Sequence, residues 1–185
     1  MPHYRRHYVP GGTYFFTLVT LNRRPLFAVE AWRDLFFASN EKISGSLPFQ
    51  TLAWVLMPDH YHAIWVLPSG DSDYSTRWRR VKEEFTKGYL KAGGVEQRQS
   101  PSRHRSGERG IWQRRFWEYT IRDEADLERC VDYIHCNPQH HGLVDQLLDW
   151  KWSSYHDFVQ QGQYPTGWEG SSSTIKTTNT LWGEY

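Results

Sequence analysis

His60 and His62 flank Tyr61 in a run of aromatic and branched residues. On an extended chain, side chains two apart project to the same face, so both imidazoles can address one point. That is how a pair of ligands to a divalent metal is arranged. A second group of reactive types lies in Cys130-Val131-Asp132-Tyr133-Ile134-His135-Cys136-Asn137-Pro138. On a helix Asn137 stands one turn above Tyr133 on the same face, so a phenol and an amide oxygen can face the histidine pair across one cation. The alternatives stay open. An HxH triplet also occurs at the wet end of ordinary strands. Leu127, Val131 and Ile134 form the buried stripe of that helix, and Tyr133 falls about 100° from its centre. Tyr133 then reads as a border residue and Asn137 as a helix-ending asparagine before proline, and spacing alone favours this plainer reading.

Other reactive side chains give less. Cys130 and Cys136 are about 120° out of register on a helix and do not chelate together. Two cysteines form no disulfide framework, which points to a reducing cytoplasm. His140 and His141 fall beyond the expected helix end, where cations favour the carbonyl terminus, so capping or phosphate contact is expected of them. No Gly-rich phosphate cradle, Ser-His-Asp set or Cys/His zinc spacing occurs.

These groups need a frame to position them. Residues 13–21 follow a Pro-Gly-Gly break and read as a strand. Residues 29–44 have helical apolar spacing that ends at Gly45. Residues 50–57 and 61–67 read as strands joined by Pro58-Asp59, 75–90 as a helix, and 91–110 as a polar loop. Residues 112–121 read as a strand, and a helix begins at Asp123 and ends at Asn137-Pro138. The order β-α-β-β-α-β-α predicts an α+β fold: a ferredoxin-like antiparallel sheet with helices on one face, plus a C-terminal extension. Residues 1–165 form the expected domain and 166–185 an acidic, flexible tail.

At 185 residues, with 38% hydrophobic and 23% charged side chains, the chain can bury a core. Its apolar runs, 53–57 and 63–67, are too short to cross a bilayer, so no membrane role is expected. No signal core follows the basic start. The net charge of +1 conceals asymmetry. Residues 98–115 carry six arginines against Glu108 alone, whereas 142–185 carry five acids and two lysines. Arginine, which makes up 16 of the 22 basic residues, interleaves with ten Trp, eleven Tyr and nine Phe. A groove for unpaired nucleic acid needs that combination, and a solvated basic face explains it equally well.

Five ordered blocks go further: Tyr4–Tyr8 with Gly11–Thr17, Met57–His62, Ile111–Glu118, Tyr133–Pro138 and Trp150–His156. Together they resemble the REP-associated tyrosine transposases, relatives of the single-tyrosine HUH transposases. The resemblance implies that His60, His62 and Asn137 hold a divalent metal, Mg2+ or Mn2+, and that Tyr133 is the nucleophile. His135 sits where some members have a second tyrosine. The implied activity is that of a metal-dependent endonuclease and strand transferase on single-stranded DNA, working at REP-type palindromic hairpins through a 5′-phosphotyrosine. Arg5, Arg6, Arg23, Arg24, Arg114 and Arg115 are the candidate phosphate contacts, and Trp112 and Trp117 the candidate base-stacking residues, although burial in the core is the stronger reading for both indoles. A cytoplasmic, nucleoid-associated monomer without an obligate protein partner is expected. The rival readings are a hairpin-binding module that does not cut and a replication-initiator-type HUH nickase.

Overall fold

In the computed structural model, which describes residues 7–165, 167, 168 and 170, four strands form one antiparallel sheet. β1 (Thr13–Val19) lies between β3 (His60–Val66) and β4 (Trp117–Thr120), and β2 (Gln50–Leu56) flanks β3. The order β2-β3-β1-β4 is the ferredoxin-like one. It arises because α1 (Glu30–Ser46) carries the chain from β1 to β2 across β3, and α2 (Tyr74–Lys91) carries it from β3 to β4 across β1.

Period-two alternation sorts the side chains. Tyr14, Phe16, Leu18, Tyr61, Ala63 and Trp65 point to one face and pack with Phe36 and Ile43 of α1 and Trp78, Val81 and Phe85 of α2. The indole of Trp65 stacks on that of Trp78, with ring centroids 3.9 Å apart. Phe15, Ala53, Val55 and Ile64 point the other way, against Cys130, Val131, Tyr133 and Ile134 of α4 (Glu124–His140). The expectation of helices on one face thus holds for α1 and α2, whereas α4 covers the opposite face. A sheet covered on both sides makes its central strands apolar throughout, which hides the two-face pattern from the sequence.

Three boundaries differ from the sequence reading. The last strand starts at Trp117, because residues 111–113 touch the end of β1 only through an isolated Thr20–Trp112 bridge and two backbone bonds. Inside the expected 91–110 loop, Ser100 caps a short helix, α3 (Pro101–Arg105). α4 does not stop before Pro138. Proline deprives the ladder of one N–H, but the His141 N–H still reaches the Asn137 carbonyl at 3.0 Å, and the helix runs on to His140.

The C-terminal part guards the sheet. Trp152 and Ser154 bond Leu56 and Trp54 through backbone groups at 2.9 and 3.0 Å, covering the outer edge of β2 before α5 (Tyr155–Gln160) begins. Trp168 stacks on Tyr164 at 3.9 Å, and Gly170 backs onto Cys136 Sγ where a Cβ would not fit. The remainder of 166–185, and residues 1–6 with Arg5 and Arg6, lie outside the described residues. Among the described residues, no helix is long and apolar enough to cross a membrane.

Candidate active site

The β1–β3 register sets Thr17 opposite His62 and Val19 opposite His60, on the face that α4 covers. Both imidazoles are buried, and their ring centroids are 4.8 Å apart. Their Nδ1 atoms are both engaged. His62 Nδ1 is 2.9 Å from Thr17 Oγ1, and His60 Nδ1 is 2.6 Å from Asp59 Oδ1. The Asp59 carboxylate can only accept, so the His60 hydrogen lies on Nδ1. Burial disfavours the charged form of Asp59. The hydrogen bond from His60, and then the hydrogen bond and charge of Arg23, outweigh this and hold its carboxyl below the usual carboxylate range.

Across the sheet face, α4 brings Asn137 Oδ1 to 3.3 Å from His60 Nε2. The Tyr133 ring lies 5.5 Å from that of His62 and 5.9 Å from that of Phe15, centroid to centroid. The four residues singled out by spacing are therefore brought together. Tyr133 and Asn137 are each only 1% exposed, so neither is the border or helix-ending residue of the plainer reading. Leu127 is only partly buried, and the interior stripe of α4 is wider than spacing indicated, taking in Cys130, Tyr133 and Asn137.

The residues fit a divalent cation. His60 Nε2 and the Asn137 amide oxygen lie 3.3 Å apart, within reach of one ion. Two donors at right angles around an ion with bonds of about 2.1 Å lie roughly 3 Å apart. Among the described residues no group of three or more His, Cys, Asp or Glu is arranged to hold a metal, so the third donor here would be the Asn137 oxygen. Two imidazoles and an oxygen suit Mn2+, or Mg2+ with retained waters.

Sequence reasoning passed over Asp59 and Thr17, and it read His141 as a capping or phosphate-contacting residue rather than a neighbour of His60. The His141 ring is 5.2 Å from that of His60. Asp59 was available as a signal, since ligating histidines donate their other N–H to a carboxylate. Thr17 was not, because only the strand register reveals it. Cys130 and Cys136 are free and buried, and burial raises both thiols, Cys136 to about 12, which makes them inert.

The nucleic-acid candidates are placed differently from one another. Arg23 pairs with Asp59 at 3.0 Å. Arg24 donates to the Val95 carbonyl and lies over the Tyr89 ring. Trp112 is buried among Phe27, Phe36 and Phe85, a core position. Trp117 is half-buried, pairs with Thr17 on β1 and packs against Phe15, on the histidine face. Arg114 and Arg115 are exposed. Arg114 borders a cleft of about 500 Å3 that is also lined by Arg79, Lys82, Arg109 and Phe116.

Comparison with known proteins agrees with this architecture. The chain is 42% identical over 170 residues to the REP-associated tyrosine transposase of Escherichia coli K12, covering 92% of each. It is 39% identical over 172 residues to a Haemophilus influenzae protein described in the same terms, covering 92% of this chain and 95% of that one. A solved structure of a REP-associated tyrosine transposase bound to a REP hairpin superimposes with a TM-score of 0.75 at 40% identity, covering 92% of this chain and 93% of that one. No protein-family model matches the chain. Identity and coverage place it among the tyrosine transposases, a class of enzymes. Within that class it belongs to the REP-associated family.

Proposed function

We propose that the chain cuts and rejoins single-stranded DNA at REP-type hairpins, with Tyr133 as the nucleophile and His60, His62 and Asn137 as the holders of a divalent cation. The observation that carries this reading is the meeting of His60 Nε2 and Asn137 Oδ1 at 3.3 Å beside the Tyr133 ring. A hairpin is the partner of the solved relative, and the same substrate class is assigned here.

The phenolic oxygen of Tyr133 attacks phosphorus in line with the departing 3′ oxygen. An unperturbed phenol has a pKa near 10, so the Tyr133 proton leaves as the bond forms. When bound, the cation supplies positive charge at a non-bridging phosphate oxygen. The P–O bond to the 3′ oxygen breaks, that oxygen takes a proton, and the phosphate stays on Tyr133 as a 5′-phosphotyrosine. A 3′ hydroxyl attacking this ester reverses the step and frees the phenol, so strands are exchanged without external energy. Because Tyr133 is 1% exposed in the free chain, substrate entry has to uncover it.

Incubation with a single-stranded hairpin oligonucleotide and Mn2+ tests the proposal. A covalent protein–DNA band on a denaturing gel is expected. Tight hairpin binding with no such band would leave a binding module that does not cut.

A further inference from the structure

Resting on that metal reading, we propose that Arg23 is a positioning residue for the histidine centre, acting through Asp59, rather than a contact to a DNA phosphate. The two oxygens of Asp59 are divided. Oδ2 accepts from Arg23 at 3.0 Å, and Oδ1 accepts from His60 Nδ1 at 2.6 Å. The backbone is fixed as well, since the Asp59 carbonyl accepts from the N–H of Thr20 at 2.9 Å and shares the single hydroxyl hydrogen of Thr20 with the Arg24 carbonyl. A carboxylate clamped at its carbonyl and one oxygen can offer the other in one direction only. That direction is His60 Nδ1.

The turn that delivers Arg23 is itself unusual. Asn22 and Arg23 have φ of 54° and 50°, consecutive left-handed positions without glycine. Such conformations persist only where surrounding contacts over-determine them. Here the Asn22 amide donates to Gln97 Oε1 at 2.7 Å, and the Thr20 hydroxyl bonds the Arg24 carbonyl at 2.8 Å. Thr20 thus knits both the strained turn and the Asp59 carbonyl. Arg23 is 30% exposed, against 56% for Arg114, so it is the more enclosed of the two arginines. Held this way, Asp59 keeps the His60 proton on Nδ1 and the lone pair on Nε2, facing Asn137. A ligating imidazole requires that tautomer.

Three measurements on the full chain test the assignment, using Arg23→Ala, Arg23→Lys and Asp59→Asn, with Arg114→Ala for contrast. They are Mn2+ affinity by calorimetry, the salt dependence of hairpin affinity in EDTA, and the His60 tautomer by 15N NMR without metal. Arg23→Ala is expected to weaken Mn2+ binding roughly tenfold and Asp59→Asn by up to about 100-fold. Both should move the His60 proton toward Nε2, and Arg23→Lys should restore most of the loss. The salt slope should stay unchanged in the Arg23 variants and fall by about one in Arg114→Ala. Wild-type Mn2+ affinity with a salt slope lowered by about one in Arg23→Ala would make Arg23 a phosphate contact and overturn the proposal. An unchanged tautomer in a folded Arg23→Ala would overturn it too, and if that variant fails to fold, Arg23→Lys and Asp59→Asn carry the same comparison. If the wild-type chain binds no Mn2+, the metal reading fails separately, and the tautomer alone decides whether Arg23 positions His60.

Discussion

His60 Nε2 and Asn137 Oδ1, 77 positions apart in the chain, meet at 3.3 Å. Removing the amide oxygen should weaken the site, and adding charge should strengthen it. Asn137→Ala is expected to lower Mn2+ affinity roughly tenfold, about 1.4 kcal/mol. Asn137→Asp should raise affinity, because a carboxylate is a better ligand for a hard cation. Calorimetry on the metal-free protein reads both. Equal affinity in all three proteins would exclude Asn137 as a ligand.

Tyr133 packs its ring against Phe15 and His62, and Phe retains that ring. Tyr133→Phe should therefore fold and bind hairpin DNA with nearly unchanged affinity, yet form no covalent adduct. A Phe variant that still nicks its substrate would remove Tyr133 from the nucleophile's role.

Elements with a strong local signal were legible in the sequence. Both crossover helices follow from periodicity, whereas spacing only allowed the histidine pair and Tyr133–Asn137 to meet, and the family resemblance singled them out. What periodicity could not show was the second layer. The burial of Tyr133, the opposite face taken by α4 and the Thr17–His62 bond depend on strand register and on a sheet covered from both sides. The reading of Asn137 as a helix end failed for a different reason. Proline removes one ladder bond, but the packing of Cys136 and Asn137 holds α4 together through Pro138. Trp112, one of the two stacking candidates, lies in the aromatic core, as the stronger reading of its indole has it.

Ser154 joins the C-terminal part to the sheet edge. Its Oγ accepts the Trp54 N–H at 2.9 Å and lies 2.8 Å from His135 Nε2. Ser154→Ala leaves a backbone donor and an imidazole nitrogen without this partner in a buried place. A loss of about 2 kcal/mol in unfolding free energy is expected, which for a chain of this size lowers the melting temperature by roughly 4–8 °C. Calorimetric melting checks it, and an unchanged midpoint would mean that water replaces the hydroxyl.

His135 makes the fold sensitive to acid. Tyr164 donates to Asp132 Oδ1 at 3.1 Å, so its oxygen accepts from His135 Nδ1–H at 2.8 Å, and Nε2 is left to accept from Ser154. A second proton would place a charge on this ring away from water, and burial pushes the His135 pKa down to about 3. In the unfolded chain it returns to about 6.5. Between these values the unfolded state binds a proton that the folded state does not, so stability falls as pH drops through this window. The contribution is fully present above about pH 6.5 and is lost below it at up to about 1.4 kcal/mol per pH unit. Asp59 and Asp126, whose carboxyls are held low, add their own losses only in stronger acid, so between about pH 6.5 and 4.5 the His135 loss is read against a partial offset from Asp132, whose carboxyl burial holds high. Urea titrations across that range should show the wild-type slope, and His135→Gln should be less stable at pH 7 but flatter below it. A variant with the wild-type slope would mean that another group carries the acid sensitivity.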